Sequence, residues 1–360
     1  MPGWGIWKRV TTSQHLDPAT LLTALYCVVD DLYREHFASR KPLRPGRRPE
    51  LSDSEVLTLV LLAQWRQDRS ERGFLAYARN HLRSYFPRLL DQSSFNRRAR
   101  DLMGVLCALG PAIRQQAAVA LGLPPPTYEV LDGVPVPLMR RCRGMQHRLF
   151  RDEAAIGRGG SDKEWYYGVK MLGAVDDQGF LGGFLAGPAN TEERWLAEAF
   201  FRWRLDPTLP APTPDDLARV LGPTHRAGGQ RQGPTGPLGP RPGVGVPCSV
   251  PAIGDLNYAG ETWNRHWRDD YGAGVLTEAA FRGLDRPARR REARRLHSLR
   301  QTVETAFGQL VARFGLKFPR ARTLWGLHTR LAAKAAAHNL SLYLNHLFGQ
   351  PPFSACDPLA

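Results

Sequence analysis

The stretch Tyr128-Glu-Val-Leu-Asp-Gly-Val-Pro-Val136 decides how the second half of the chain folds. Apolar side chains alternate along it, and this alternation predicts a β-strand with one buried face. The residues in phase on that face are Tyr128, Val130, Val134 and Val136. Asp132 shares their phase, so a carboxylate falls on the face that should be buried, which is costly without compensation. The alternative is that Asp132-Gly133 is only a turn, because Pro135 and Pro137 favour an early end to the strand.

Before this strand the pattern is helical, from about residue 16 to residue 123. Apolar residues recur there at spacings of three and four. Ser52 and Glu55 have the spacing of a capping box, which predicts the start of a helix. Further helices are predicted over 70–85 and 93–121, with a basic, Pro-rich linker at 40–49. We therefore predict an all-helical N-terminal domain over residues 1–124.

After the strand the pattern alternates between strands and helices. Two strand-like runs, 165–175 and 179–186, are joined by Asp176-Asp177-Gln178-Gly179, a plausible hairpin turn. The later predicted elements are a helix over 191–204, a strand over 249–253, a helix over 258–268, a strand over 274–276 and helices over 289–314 and 329–348. This order predicts an α/β fold, a mixed α+β sheet with helices on its faces, over residues 125–350. A Pro/Gly-rich insertion at about 207–250 and a tail at 351–360 complete the predicted domain organisation.

The charge of the chain favours a polyanionic partner. Its formal net charge is +15, and residues 281–350 carry 14 Lys and Arg against 3 Asp and Glu. A local surplus is better explained by a nucleic-acid surface than by a coding sequence rich in arginine codons. The five scattered cysteines indicate neither a zinc site nor a disulfide framework. No run approaches the roughly 18 apolar residues of a membrane span, so we expect a cytoplasmic protein without a membrane partner.

Two further acids stand at positions that favour a site. Asp255 closes a predicted strand, and residues at the carboxyl ends of such strands commonly face the ligand crevice. Glu304 lies on the long predicted helix at the border of its apolar stripe, four residues after Arg300. Each has an ordinary alternative, since Asp255 could cap a turn and an Arg–Glu pair on a helix is usually a weak surface contact. Together with Asp132 they have the chemistry of magnesium ligands.

Six short stretches resemble, in order, the landmarks of insertion-sequence transposases with a DDE triad, and the insertion sequence 982 family is the closest match. The resemblance covers residues 16–349, nearly the whole chain. The stretches are Leu51-Ser-Asp-Ser-Glu-Val-Leu57, Ser94-Phe-Asn-Arg-Arg98, Leu131-Asp-Gly-Val-Pro-Val136, Lys163-Glu-Trp-Tyr-Tyr-Gly-Val-Lys170, Gly254-Asp255 and Arg300-Gln-Thr-Val-Glu304.

The resemblance implies a ribonuclease-H-like catalytic core behind the helical N-terminal domain of residues 1–124, and it implies that this domain takes part in binding DNA ends. It implies that Asp132, Asp255 and Glu304 are the catalytic residues and hold Mg²⁺ or Mn²⁺, as two ions. Arg300 matches the arginine of the related Y-R-E-K signature, whereas His297 replaces its tyrosine and Val311 its lysine. The candidate DNA-binding residues are Arg300, His297, Lys163, Lys170, Arg97 and Arg98.

The activity that follows is transposition of DNA by a bacterial enzyme. A homo-oligomer would bind the terminal inverted repeats of its own element, cut the strand and join it to target DNA at the nucleoid. Three alternatives stay open: a nuclease with the same core that never joins ends, a catalytically inactive relic or repressor that binds DNA, and an RNA-binding protein. The last lacks an aromatic-rich recognition motif.

Overall fold

The structure, a computed structural model, describes residues 17–40, 49–66, 70–144, 150, 151, 153–159, 164–204 and 251–354. Most of the predicted linker and the whole predicted insertion at 207–250 lie outside the described residues. The N-terminal part of the described chain is helical, as predicted. Its helices are α1 (Pro18–His36), α2 (Asp53–Arg66), α3 (Glu71–His81), α4 (Gln92–Asp101) and α5 (Met103–Leu121).

Local hydrogen bonds explain where the N-terminal helices begin. The Ser52 hydroxyl accepts from the Glu55 backbone N–H at 3.1 Å, and the Glu55 carboxylate accepts from the Ser52 N–H at 2.6 Å. This reciprocal pair is the predicted capping box. Ser70 caps α3 in the same way, accepting from Gly73 N–H at 3.1 Å. The helical stretch predicted over 93–121 is confirmed, and it is divided into two helices that meet at Leu102.

The second part of the chain alternates strands and helices. Its first group is β1 (Glu129–Arg140), the short α6 (Arg141–Gly144), β2 (Ala155–Gly159), β3 (Glu164–Asp176) and β4 (Leu181–Pro188). Its second group is α7 (Glu193–Arg204), β5 (Ala252–Ile253), α8 (Glu261–Tyr271), β6 (Val275–Leu276), α9 (Arg286–Ala312) and α10 (Leu324–Leu347). The protein is thus a mixed α/β protein, as predicted.

The six strands form one mixed sheet with β1 near its centre. β1 pairs antiparallel with β3 and parallel with β5, which in turn pairs parallel with β6. β2 and β4 both pair with the far side of β3, at different parts of its length. Because β1 continues to Arg140, the reading of Asp132-Gly133 as a turn is wrong. Pro135 and Pro137 do not end the strand early, although the register with β3 shifts between Pro137 and Met139.

A tight hairpin joins β3 to β4 at the predicted position. The Asp176 backbone N–H donates to Phe180 O at 2.9 Å, and Gly179 N–H donates to Asp176 O at 3.0 Å. Gly179 has a φ of 93°, which a residue with a side chain rarely adopts. The hairpin prediction is therefore confirmed, and the turn chemistry explains it.

Helices cover both faces of the sheet. Val130, Val134 and Val136 of β1 belong to a hydrophobic cluster that also contains residues of α9, α10 and the N-terminal helices. Leu131, pointing the other way, belongs to a second cluster with residues of α7 and α8. The alternation predicted for β1 therefore corresponds to two separate packing surfaces. The N-terminal helices share the first of these with the sheet.

Asn339 of α10 joins three parts of the fold. Its side-chain N–H groups donate to Gly110 O and Leu181 O, both at 2.9 Å, and its carbonyl accepts from Leu181 N–H at 2.8 Å. The side chain is fully buried. One amide therefore satisfies backbone groups of α5 and β4 that water cannot reach.

One helix among the described residues, Met103–Leu121, is long and apolar enough to cross a membrane by length and composition alone. Arg114, Gln115 and Gln116 interrupt its apolar run. Its buried residues Leu106, Leu109, Ile113 and Ala117 are part of the first hydrophobic cluster. One face of this helix therefore packs inside the protein.

We expect Asn339→Ala to lower the free energy of unfolding by about 3 kcal/mol, because it leaves buried backbone groups without partners. Urea denaturation followed by circular dichroism measures this change. Gln301→Ala, an exposed polar truncation on α9, serves as the control and should change the value by less than about 0.5 kcal/mol. Equal stability of the two variants would contradict the role given to Asn339.

Candidate functional site

Asp132 occupies the face of β1 that packs against α9. Its cross-strand partner is Gly173, and a Cβ built on Gly173 would come within 3.0 Å of the Phe307 ring on α9. The Asp132 side chain is half-buried, and its carboxylate accepts from the Gly133 N–H at 2.8 Å. The predicted combination of a carboxylate with a core-facing position is therefore confirmed.

Burial and neighbouring acids disfavour the charged form of Asp132. Desolvation raises its pKa to about 7, and the charges of Glu193 and Asp255 act in the same direction. The Gly133 N–H and the Arg300 guanidinium oppose this shift. A carboxylic acid that titrates near neutrality is typical of functional sites, although structural networks also produce such shifts.

Asp255 lies just beyond the end of β5, as predicted, with Gly254 between them. A Cβ on the preceding Gly254 would lie 2.7 Å from the Tyr258 ring, so only glycine fits between that ring and the strand. The Asp255 carboxylate accepts from Asn257 N–H at 2.8 Å and caps the 3-10 turn Leu256–Tyr258. Burial raises the pKa of Asp255, and Glu193 adds to the shift. Asp255 therefore caps this turn and also lies near Asp132, whose pKa is raised by the charge of Asp255.

Glu193 is the acid that sequence reasoning missed. It begins α7, and its carboxylate would be 3.1 Å from a Cβ on Gly133, next to Asp132 in β1. The Asn257 side-chain amide donates to Glu193 at 3.0 Å and to Asp255 at 2.9 Å, so one nitrogen holds both carboxylates. Lys170 Nζ lies 3.3 Å from Glu193 Oε1. Glu193 thus belongs to the same cluster as the two aspartates.

A buried polar cluster fixes α7 against α8. The Glu198 carboxylate, fully buried, accepts from Trp267 Nε1 at 2.8 Å and from the Tyr271 hydroxyl at 2.6 Å. His266 Nε2 lies 3.0 Å from the same carboxylate, and its Nδ1 lies 2.5 Å from Asp270 Oδ2. These contacts hold the helix that begins with Glu193 against the helix that follows Asp255.

A tyrosine hydroxyl is oriented into the acidic cluster without a hydrogen-bond partner. Tyr258 is fully buried, and its hydroxyl has no partner among the described residues. Burial raises its pKa well above the usual range, and the charges of Glu193, Asp132 and Asp255 reinforce the shift.

α9 contributes Arg300 and Glu304 on neighbouring turns. Arg300 is half-buried, its charge lowers the pKa of both Asp132 and Asp255, and its Nε has no hydrogen-bond partner among the described residues. Glu304 is exposed and makes no hydrogen bond or ion pair with any described residue. His297 is exposed one turn before Arg300. The structure therefore brings Arg300 to the aspartates, but it shows no contact among the described residues that links Glu304 to them.

The other candidate DNA-binding residues have different surroundings. Lys163 lies outside the described residues. Lys170 Nζ donates to Thr191 O at 3.1 Å as well as contacting Glu193. Arg98 is engaged within the N-terminal helices, 2.6 Å from Leu51 O and ion-paired with Asp53 at 2.5 Å. Among the described residues of this group, Arg97 is the one that is exposed to solvent.

The donor atoms of the cluster fit a hard divalent cation, although their arrangement is open. Asp132, Asp255 and Glu193 offer carboxylate oxygens, the ligands that Mg²⁺ prefers. In the described part of the chain, no group of three or more His, Cys, Asp or Glu side chains lies close enough to hold a metal ion. Magnesium retains several waters, so two carboxylates can anchor it.

Comparison with other proteins gives no further guidance on identity. No family model, no curated protein and no solved structure matches this chain. The site must therefore be interpreted from its own residues.

We expect the acidic site to make the metal-free protein less stable as the pH rises. The folded protein keeps a proton on Asp132 up to about pH 7, whereas the unfolded chain releases it near pH 4. Linkage then requires the free energy of unfolding to fall across this window, by up to about 4 kcal/mol relative to Asp132→Asn.

Urea denaturation in EDTA between about pH 4 and pH 8 tests this expectation. The stability difference between Asp132→Asn and the natural chain should grow in favour of the variant as pH rises. Asp269→Asn changes an exposed aspartate and should keep the pH dependence of the natural chain. A difference that is independent of pH would show that Asp132 titrates normally.

Proposed function

We propose that this protein is a DNA transposase that cuts and joins DNA ends at the cluster around Asp132 and Asp255. The observation that carries the proposal is the convergence of these two carboxylates from adjacent parallel strands, beside Arg300 of the long helix. The motifs that resemble insertion-sequence transposases contain the same three residues. The basic surplus of the chain supplies the attraction for DNA.

The strand order supports a ribonuclease-H-like core. Three strands, β1, β3 and β4, run antiparallel in succession, and β5 and β6 then join parallel to β1, with α7 and α8 between them. Acids stand on the first strand, after β5 and on the long helix α9. This distribution agrees with a triad of Asp132, Asp255 and Glu304.

The reaction would have two steps. In the first, the oxygen of a water molecule forms a bond to phosphorus, and the bond from phosphorus to the 3′ oxygen of the transposon end breaks. That oxygen leaves as a 3′-OH. In the second, the same 3′-OH attacks a target phosphodiester, so that one ester bond forms and another breaks. The second step is a transesterification and needs no external energy source.

Each residue of the cluster has a role that follows from its position. Asp132, Asp255 and Glu304 would hold divalent ions, which supply activation of the attacking oxygen and stabilisation of the leaving one. Arg300 compensates negative charge beside the aspartates and can contact a phosphate. Asn257 orients Asp255 and Glu193 through its amide. Glu193 adds negative charge that favours cation binding.

We expect Asp132→Asn to reduce strand transfer by at least about 100-fold, because even outer-shell changes at metal sites cost 10- to 100-fold. An assay with pre-cleaved transposon ends and Mg²⁺ measures the joining step alone. Asp269→Asn, the same chemical change at an exposed site, should retain activity. Full joining by Asp132→Asn would remove the basis of the proposal, and cleavage without joining by the natural chain would indicate a nuclease.

We further expect Glu304 to be a metal ligand and Glu193 to be a positioning residue. Glu304→Gln should then lose at least about 100-fold in strand transfer at every Mg²⁺ concentration. Glu193→Gln should lose about tenfold and recover as Mg²⁺ is raised, because it weakens the field that attracts the cation. A larger loss of strand transfer for Glu193→Gln than for Glu304→Gln would identify Glu193 as the third ligand.

A second candidate function is that of a catalytically inactive DNA-binding protein. The open arrangement of carboxylates among the described residues favours it, as do His297 and Val311 at two signature positions. Both functions require DNA binding, so a binding assay cannot separate them. Nicking of DNA that depends on Mg²⁺ and on Asp132 would exclude the inactive protein.

A further inference from the structure

The long helix α9 begins with a segment that projects beyond the core. From Arg286 to Arg295 none of its residues is buried, and Leu296 is the first that packs inside. The segment contains six exposed arginines, Arg286, Arg289, Arg290, Arg291, Arg294 and Arg295. Asp285 fixes the start of the helix by accepting from Ala288 N–H at 2.8 Å. The arginines are therefore presented on an ordered helix.

Helical periodicity places four of these six arginines on two different flanks of the helix. Arg286, Arg290, His297 and Arg300 recur at spacings of four, seven and three, which places them along one line of the helix at about 3.6 residues per turn. We name these four residues the arginine stripe. Glu304 continues it, about five turns from Arg286. The buried line of Leu296, Val303 and Leu310 lies beside the stripe.

Arg291 and Arg295 lie on the opposite flank of the buried line. They approach Glu292, at 3.4 Å and 4.0 Å respectively. Their positive charge is therefore partly compensated within the helix. Arg286 and Arg290 make no ion pair with a described residue. All four residues are exposed arginines, and the two pairs differ in the flank that they occupy and in the contact with Glu292.

The stripe ends at the acidic cluster. Arg300, its last member, is the residue whose charge acts on Asp132 and Asp255. From Arg286 to Arg300 the helix extends about 20 Å, at a rise of about 1.5 Å per residue. One DNA strand presents about six phosphates over that length. The stripe therefore matches the spacing and charge of a nucleic-acid backbone that leads to the site.

We propose that the arginine stripe binds the phosphate backbone of double-stranded DNA and directs the scissile strand along α9 into the cluster of Asp132 and Asp255. This inference rests on the proposed function, because it assigns a path to the substrate of that site. The contacts are to phosphates, so the stripe positions DNA without reading its sequence. Affinity through the stripe must fall as salt is raised.

Two double variants test the stripe with matched losses of charge. Arg286→Gln with Arg290→Gln alters the stripe, and Arg291→Gln with Arg295→Gln alters the opposite flank. Glutamine keeps a helix propensity close to that of arginine, and circular dichroism verifies that both variants fold. The measurement is the affinity for a linear fluorescent DNA duplex in EDTA, by anisotropy, over a series of salt concentrations.

We expect the stripe variant to bind at least about tenfold more weakly at low salt and to lower the slope of log affinity against log salt by about two. The opposite-flank variant should lose less than about threefold. Equal losses in both variants, or no loss in the stripe variant, would overturn the inference.

The test is independent of catalysis, because EDTA removes divalent ions. An unequal loss of binding combined with no nicking in Mg²⁺ would support the stripe and contradict the transposase. Nicking in Mg²⁺ by the natural chain, with no loss of DNA binding in the stripe variant, would support the transposase and contradict the stripe.

Discussion

The fold places the Asp132 carboxylate in a position where burial disfavours its charged form. Asp132 projects from the core face of the central strand, and burial raises its pKa to about 7. The chain compensates only in part, with one backbone N–H from Gly133 and the nearby Arg300 guanidinium. Two further acids beside it add to the cost. A site that gathers negative charge in this way is most favourable when positive charge from outside the chain joins it.

Rigid contacts remote from the acids hold this unfavourable arrangement together. The Glu198 cluster clamps α7 to α8, and so fixes the helix that begins at Glu193 relative to the loop after Asp255. On the other side of the sheet, Asn339 joins α10 to α5 and to β4. Both clusters are buried and hydrogen-bonded, so moving either would expose unsatisfied polar groups. The repulsion among the acids is therefore balanced by packing in the layers above and below.

Sequence alone predicted the features that depend on local periodicity. Residues that are neighbours in the sequence determine three such features. They are the face of β1 that Asp132 occupies, the position of Asp255 after a strand and the hairpin at Asp176–Gly179. The sequence did not identify Glu193 in this way. Acidic residues are common in the first turn of any helix, because they interact favourably with the helix dipole. The strand β2, Ala-Ile-Gly-Arg-Gly, has too much glycine to show alternation. Arg98 is a predicted DNA contact in the sequence because its ion-pair partner, Asp53, lies far away along the chain, so the sequence does not show the pairing.

That last case shows why net charge cannot locate a nucleic-acid surface. Several arginines that contribute to the basic total are neutralised inside the fold: Arg98 by Asp53, Arg114 by Asp176 and Arg204 by Glu129. Withdrawing either partner from such a pair would leave a partly buried charge uncompensated, so these arginines are not free to bind phosphate. The arginines of α9 differ, because most face solvent on a helix whose inner end reaches the acids. The proposed DNA-binding surface is thus defined by the cations that lack a partner inside the fold, and only the folded structure reveals that distinction.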